Sequence, residues 1–218
     1  MSIALIIIDV QNDFVEGGAL AVPNGSAVVS KINTLRAGLN NPTVVLSQDC
    51  HPADHCSFIT NNPGATVFTV ADLEHGPQMM WPPHCVQGSP GAEFVSTLVQ
   101  ESTDTIIQKG TLRLVDSYSA FGDSSRSLET TPLLNYLRSK GIKTVICAGL
   151  ALDYCVSYTA RDAADAGFKT YVVLDSCRGI AEDSIDNEIQ KMLAAGVDIR
   201  RSMTDLPTEL LVPVPGRG

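Results

Sequence analysis

Long apolar runs are missing from this sequence: none approaches the roughly 20 residues needed to span a bilayer, so no membrane partner is expected. Positive charge is also scarce. Lysine and arginine total 15 against 24 aspartates and glutamates, giving a formal net charge of −9. The few basic residues are dispersed, which argues against nucleic acid as a partner. No long like-charge block occurs, and with 44% hydrophobic residues the chain is not of disordered composition. No secretion signal is legible. The run 3–8 is too short for a signal core, has no basic flank and runs straight into Asp9. The last four residues, Pro-Gly-Arg-Gly, carry no targeting signal. The expected location is the cytoplasm. No Cys-x-x-Cys spacing is present among the six cysteines. Reduced thiols are therefore expected, each a core residue, a metal ligand or a nucleophile.

What is present is an alternation of patterns. Residues 3–8 (IALIII) form a continuous aliphatic run, as in a strand buried on both faces of a parallel sheet. Similar runs follow at 43–47, 105–108, 144–148 and 170–174, with a weaker one at 197–200. Helical spacing lies between several of them. Val28, Val29, Ile32, Leu35 and Leu39 recur at helical steps, as do Leu133, Leu134 and Leu137. An Ala-rich helix is expected over 155–166 and another over 185–195. This order predicts an α/β fold with a mainly parallel sheet. The 218 residues lack a linker or internal repeat, so one domain over 1–218 is expected. Its one long irregular loop, about 50–91, is rich in His, Pro, Gly, Cys and aromatics. Loops of that length in compact domains are usually functional or disordered, and Trp81 with the aliphatic residues around 66–73 argues against disorder.

Ligands of open α/β sheets bind beyond the C-terminal ends of the strands. There the sequence places Asp9 after the first run, Asp49 and His51 after the second, Lys109 after the third and Cys155 beyond the fourth. Any one of these could be a cap or a surface residue; together they suggest a site. A thiol opening a helix faces unpaired N–H groups and a positive dipole end, so Cys155 is expected to have a lowered pKa; by itself it reads equally as a nucleophile or as a buried structural cysteine. The same N–H groups could receive an oxyanion. Cys147, inside a strand, reads as structural. Asp9 is the natural proton acceptor, with Lys109 pairing its charge. Asp49, His51 and His84 offer three N/O ligands and leave open positions, as a catalytic metal requires. Such a set suits zinc, iron or manganese. His55 reads as a hydrogen-bonding neighbour and His75 as surface. A thiolate-rich zinc site using Cys50, Cys56 and Cys85 competes, without a supporting spacing.

The segments IIIDVQNDF (6–14), DCHPADHCSF (49–58), WPPHCVQGSPGAEF (81–94), KGT (109–111), DSYSAF (116–121) and GLALDYCV (149–156) resemble, in order, the nicotinamidase/pyrazinamidase family of the isochorismatase-like fold. The resemblance implies a three-layer α/β/α fold on a six-stranded sheet and a nicotinamide amidohydrolase acting in NAD salvage, with pyrazinamide as a look-alike substrate. It implies Cys155 as nucleophile, Asp9 as base and then acid, and Lys109 as electrostatic partner. The metal, zinc first and iron or manganese otherwise, falls to Asp49, His51 and His84. Phe14, Trp81 and Tyr118 match aromatics that line the ring pocket. The Ala151 and Cys155 N–H groups match an oxyanion hole, with a cis peptide before Ala151. Leu152 and Ser89 depart from common threonines of the family, and the segment 76–80 differs among members.

Two other readings compete. One is a related amidohydrolase acting on another small amide; true isochorismatases lack the nucleophilic cysteine. The other is a non-catalytic metal-binding member of the fold, which would not need Asp9, Lys109 and Cys155 together. Self-association into a homo-oligomer stays open.

Overall fold

A computed structural model describes residues 2–74, 76–123 and 130–213. His75 and the C-terminal tetrapeptide, both read above, lie outside the described residues. The first aliphatic run forms β1 (Ile3–Ile8), with no residue more than 2% exposed. Burial on both faces explains why it lacks polar alternation, and each Ile or Leu contributes about 1.5–3 kcal/mol. The other runs form β2 (Thr43–Asp49), β5 (Thr105–Lys109), β6 (Thr144–Leu150), β7 (Lys169–Arg178) and β8 (Asp198–Arg200). All pair in parallel in the order β5-β2-β1-β6-β7-β8.

Helices α1 (Ala27–Gly38), α2 (Leu133–Ser139), α3 (Ser157–Asp165) and α4 (Glu182–Ala194) connect these strands. From β1 the chain moves outward to β2; from β6 it moves the other way, to β7 and β8. Right-handed crossovers then put α1 on one face and the other three helices on the opposite face, giving three layers. Among the described residues, no helix is long and apolar enough to cross a membrane.

The reversal of direction falls between neighbours β1 and β6, and a crevice at such a switch point is where these sheets bind ligands. Gly149 lets the two strands close up. Its φ is +134°, and a Cβ there would overlap the carbonyl oxygen of Ile8.

Three expectations need correction. The stretch about 50–91 is not wholly irregular. It contains the antiparallel hairpin β3 (Val70–Leu73) and β4 (Gly76–Met79). These strands have no buried residues, so no core-facing alternation marks them in the sequence. Asp49 and Lys109 are the last residues of their strands rather than loop residues, and their Cα positions are in register. The helix expected from residue 155 begins at Ser157. Cys155 sits just before it in a π-helical turn, Leu152–Val156, where the Val156 N–H reaches back to the Ala151 carbonyl at 3.1 Å.

Candidate active site

The strand order β5-β2-β1-β6 sets Lys109, Asp49, Asp9 and Cys155 side by side at one sheet edge. Asp9 and Lys109 are fully buried, Asp49 is 4% exposed and Cys155 6%. The Lys109 ammonium lies between the two carboxylates. Its Nζ is 2.9 Å from Asp9 Oδ2 and donates to Asp49 Oδ1, to the Ser117 carbonyl at 3.1 Å and toward Cys155 Sγ at 3.4 Å. A carboxylate oxygen of Asp9 and one of Asp49 lie within 4.8 Å of the Cys155 sulfur.

Burial would strip the proton from Lys109, but Asp49 and Asp9 outweigh it and hold the lysine charged, well above its ordinary pKa. Burial likewise pushes Asp49 up, but Lys109 and His51 hold its carboxyl well below the usual carboxylate range. Asp9 goes the other way. Burial raises it, Lys109 opposes, and the Asp49 charge adds to the rise. The thiol expectation is overturned. Burial pushes Cys155 well above its ordinary value, and Asp9 and Asp49 add to the push that Lys109 opposes. The helix end was expected to favour thiolate, yet a buried sulfur beside two carboxylates holds its proton. An acceptor must therefore take that proton during reaction, and the raised Asp9 carboxyl stands beside it.

The second cluster lies next to the first. Ligand atoms of Asp49, His51 and His84 all lie within 4.8 Å of one another. His51 Nδ1 pairs with the Gly110 carbonyl and His84 Nδ1 with that of Pro82, each at 2.8 Å. Since a carbonyl only accepts, both Nδ1 atoms carry the proton and both Nε2 lone pairs stay available, the arrangement typical of metal-binding imidazoles. Burial, then the neighbouring His51, pull His84 down to about 4, which keeps it a neutral ligand. Burial would do the same to His51, but Asp49 raises it above its ordinary value. Asp49 turns one oxygen to Lys109 and the other to His51 Nε2, 3.6 Å away. Gly110 matters here: its φ is +62°, and a Cβ would overlap the His51 ring.

These residues fit a divalent cation in a carboxylate–imidazole site. His55 stands differently. Its ring centroid is 4.3 Å from that of His51, and a second possible ligand group, His51–His55–Asp116, is close by. Yet both its nitrogens are engaged, Nδ1 with Ser57 Oγ at 2.8 Å and Nε2 with the Val115 carbonyl at 3.1 Å.

Cys155 of the first cluster and all three residues of the second face a narrow cavity of about 30 Å³. Asp49, His51, His84, Cys155 and Ala151 line it, with Phe14, Trp81 and Tyr118 as aromatic walls. The Phe14 ring is 5.5 Å from that of His84, and Trp81 Nε1 donates to the Tyr118 hydroxyl at 3.3 Å. The peptide Leu150–Ala151 is cis. Sequence reasoning missed several residues. Leu20, Val22, Tyr154 and Ile180 also line the cavity. Gln11 brackets the Asp49 backbone, accepting from its N–H and donating to its carbonyl, each at 2.8 Å. Asp153 accepts from the Ile180 N–H at 3.0 Å and from Ser184 Oγ, tying the cysteine turn to the start of α4. Its sequence signal was an acidic residue inside an otherwise apolar turn.

Known proteins resemble this chain over most of its length. The isochorismatase domain description matches residues 3–203. A nicotinamidase of Acinetobacter baylyi is 44% identical over 89% of this chain and 90% of its own. A solved nicotinamidase/pyrazinamidase structure from Acinetobacter baumanii is 42% identical with a TM-score of 0.86, covering 94% of this chain and 98% of that one. The pyrazinamidase of Pyrococcus horikoshii, solved in complex with zinc, is 33% identical with a TM-score of 0.74, covering 91% and 98%. With the domain matched over residues 3–203 and this degree of sequence likeness, the chain belongs to the isochorismatase-domain family of hydrolases.

Proposed function

We propose that this protein is a nicotinamidase, a single-domain cytoplasmic amidohydrolase that converts nicotinamide to nicotinate and ammonia for NAD salvage. Pyrazinamide, a ring of the same size bearing the same carboxamide, is the expected second substrate. One observation carries the reading: the Lys109 ammonium sits 2.9 Å from Asp9 and 3.4 Å from Cys155 Sγ, under a narrow aromatic-walled cavity flanked by Asp49, His51 and His84.

In this mechanism Asp9 takes the Cys155 proton, and the sulfur attacks the carboxamide carbon. The Ala151 and Cys155 N–H groups receive the oxyanion. One such donor is worth about 2.7–4 kcal/mol in well-studied hydrolases. The C–N bond breaks as Asp9 returns its proton to the nitrogen, and ammonia leaves. Asp9 then accepts a proton from water, whose oxygen attacks the thioester. The C–S bond breaks, the acid is released and the sulfur regains its proton from Asp9. Lys109 stays charged throughout and stabilises whichever of Asp9 or Cys155 is anionic. Phe14, Trp81 and Tyr118 hold the ring in place, so orientation is their contribution.

Asp49, His51 and His84 would hold a divalent cation, zinc first and iron or manganese otherwise. When bound, the cation supplies a Lewis-acidic position for a pyridine nitrogen.

Ammonia release from nicotinamide tests the proposal, with the wild type and Cys155→Ala compared with and without chelator. The wild type should release ammonia and the alanine variant should not, while keeping its fold. Ammonia release by folded Cys155→Ala would remove the nucleophile. Release from a different amide but not from nicotinamide would favour a related amidohydrolase.

A further inference from the structure

We infer that Ser47 is a positioning residue for the proton-accepting Asp9, holding its carboxylate so that one oxygen alone is presented to the nucleophile. The inference rests on the mechanism above and adds a residue to it. Ser47 lies in β2 directly opposite Ile8, the residue before Asp9. It is fully buried, and its hydroxyl donates to Asp9 Oδ1 at 2.6 Å. Its carbonyl also accepts the Asp9 N–H at 3.3 Å, so Asp9 is gripped by backbone and side chain from one residue. Asp9 needs such a grip, because it leaves the end of β1 in the left-handed region with φ +49°.

The consequence is a division of labour between the two carboxylate oxygens. Oδ1 is taken by the Ser47 hydroxyl. Oδ2 is 2.9 Å from the Lys109 ammonium and is left free of the Ser47 hydroxyl. A buried carboxylate oxygen that shares the Lys109 ammonium with the Cys155 sulfur is the place for the incoming proton. Without the Ser47 bond the carboxylate could turn about its Cβ–Cγ bond, and either oxygen could fall to Lys109. A proton transfer needs its donor and acceptor within hydrogen-bond reach, so loss of that alignment slows the chemical step rather than binding. Ring binding is made elsewhere, by the aromatic walls and the Asp49–His51–His84 group.

The test is a graded series on the metal-loaded enzyme with nicotinamide as substrate: wild type, Ser47→Thr, Ser47→Cys and Ser47→Ala. Threonine keeps the hydroxyl, cysteine keeps a weak donor of similar size, and alanine has none. A donor to a buried charged acceptor is among the stronger hydrogen bonds. The alanine variant should therefore lose about 10–100-fold in kcat, with KM within about twofold of wild type. Cysteine should fall between alanine and wild type, and threonine should lie within about threefold of wild type. A purely structural serine would lower the melting temperature without ordering kcat by donor strength. A kcat that does not follow the order Ser, Thr, Cys, Ala, or a loss confined to KM, overturns the inference while leaving the mechanism standing. Absence of Cys155-dependent ammonia release in the wild type itself would instead remove the mechanism, and this inference with it.

Discussion

Replacing Lys109 by methionine removes the one cation between Asp9 and Asp49 and keeps the side-chain volume. Two buried carboxylates would then face each other uncompensated, and one must take up a proton to remain in the fold. An aspartate has an ordinary pKa of 3.8. Keeping one protonated at pH 7 therefore costs about 1.4 kcal/mol for each of 3.2 pH units, or roughly 4.4 kcal/mol relative to the unfolded chain. At pH 5 the same cost is roughly 1.6 kcal/mol. The sign follows from the raised folded pKa: its contribution to stability is present below pH 3.8 and lost as pH rises. In the wild type Lys109 is raised above 10.5, so its stabilisation is fully present across pH 5–7. Asp49 is depressed, so its contribution is present above pH 3.8. In the wild type burial raises Asp9 and Lys109 opposes the rise, so the wild type already bears part of this cost and loss of Lys109 adds the rest. The variant should therefore be less stable by an amount that grows by up to about 2.7 kcal/mol between pH 5 and 7. Methionine also spares the desolvation of an ammonium, which offsets part of the deficit at every pH but not its slope. Urea unfolding followed by circular dichroism, with EDTA in all samples, reads this directly. For m of about 2–3 kcal/mol/M, the midpoint deficit should be up to roughly 1.5–2 M at pH 7 and smaller, under about 1 M, at pH 5. Turnover of the metal-loaded variant should fall at least about 1000-fold, because a neutral Asp9 cannot accept the thiol proton. A deficit that is equal at the two pH values, or wider at pH 5, would refute the argument.

The remaining predictions concern the metal group and the switch point. His51→Ala should reduce bound metal to well below one ion per chain in elemental analysis, and raise KM for nicotinamide. Unchanged metal content would take His51 out of the ligand set. His55→Ala should retain its metal, since both ring nitrogens of His55 are hydrogen-bonded to the protein. Gly149→Ala forces a methyl onto the Ile8 carbonyl between the two central strands, in a backbone conformation with φ +134°. It should cost more than about 3 kcal/mol, seen as a melting temperature lower by roughly 10 °C or more. A melting temperature within about 2 °C of wild type would show that β1 and β6 can separate at little cost.

The sequence made some layers of this molecule legible and hid others, for identifiable reasons. Buried parallel strands announce themselves as unbroken aliphatic runs, so β1, β2, β5, β6 and β7 were each anticipated. Reactive side chains at their C-terminal ends followed from the same runs. Strand order did not, because every aliphatic run looks alike to its neighbours. Yet it is the order β5-β2-β1-β6 that turns four residues spread from 9 to 155 into one cluster. The sign of the thiol shift was misread because a helix end is visible in one dimension, whereas burial beside Asp9 and Asp49 is not. Ser47 shows what can be recovered. A serine closing the run Thr-Val-Val-Leu-Ser, two residues before a candidate ligand, is a polar group placed where only apolar ones pack freely. Such a residue must find a partner, and in a parallel sheet the available partner is whatever polar side chain ends the adjacent strand. That rule applied to β2 points to the end of β1, and so to Asp9. The same burial that hides the sign of the thiol shift therefore makes a buried hydroxyl informative about the base it serves.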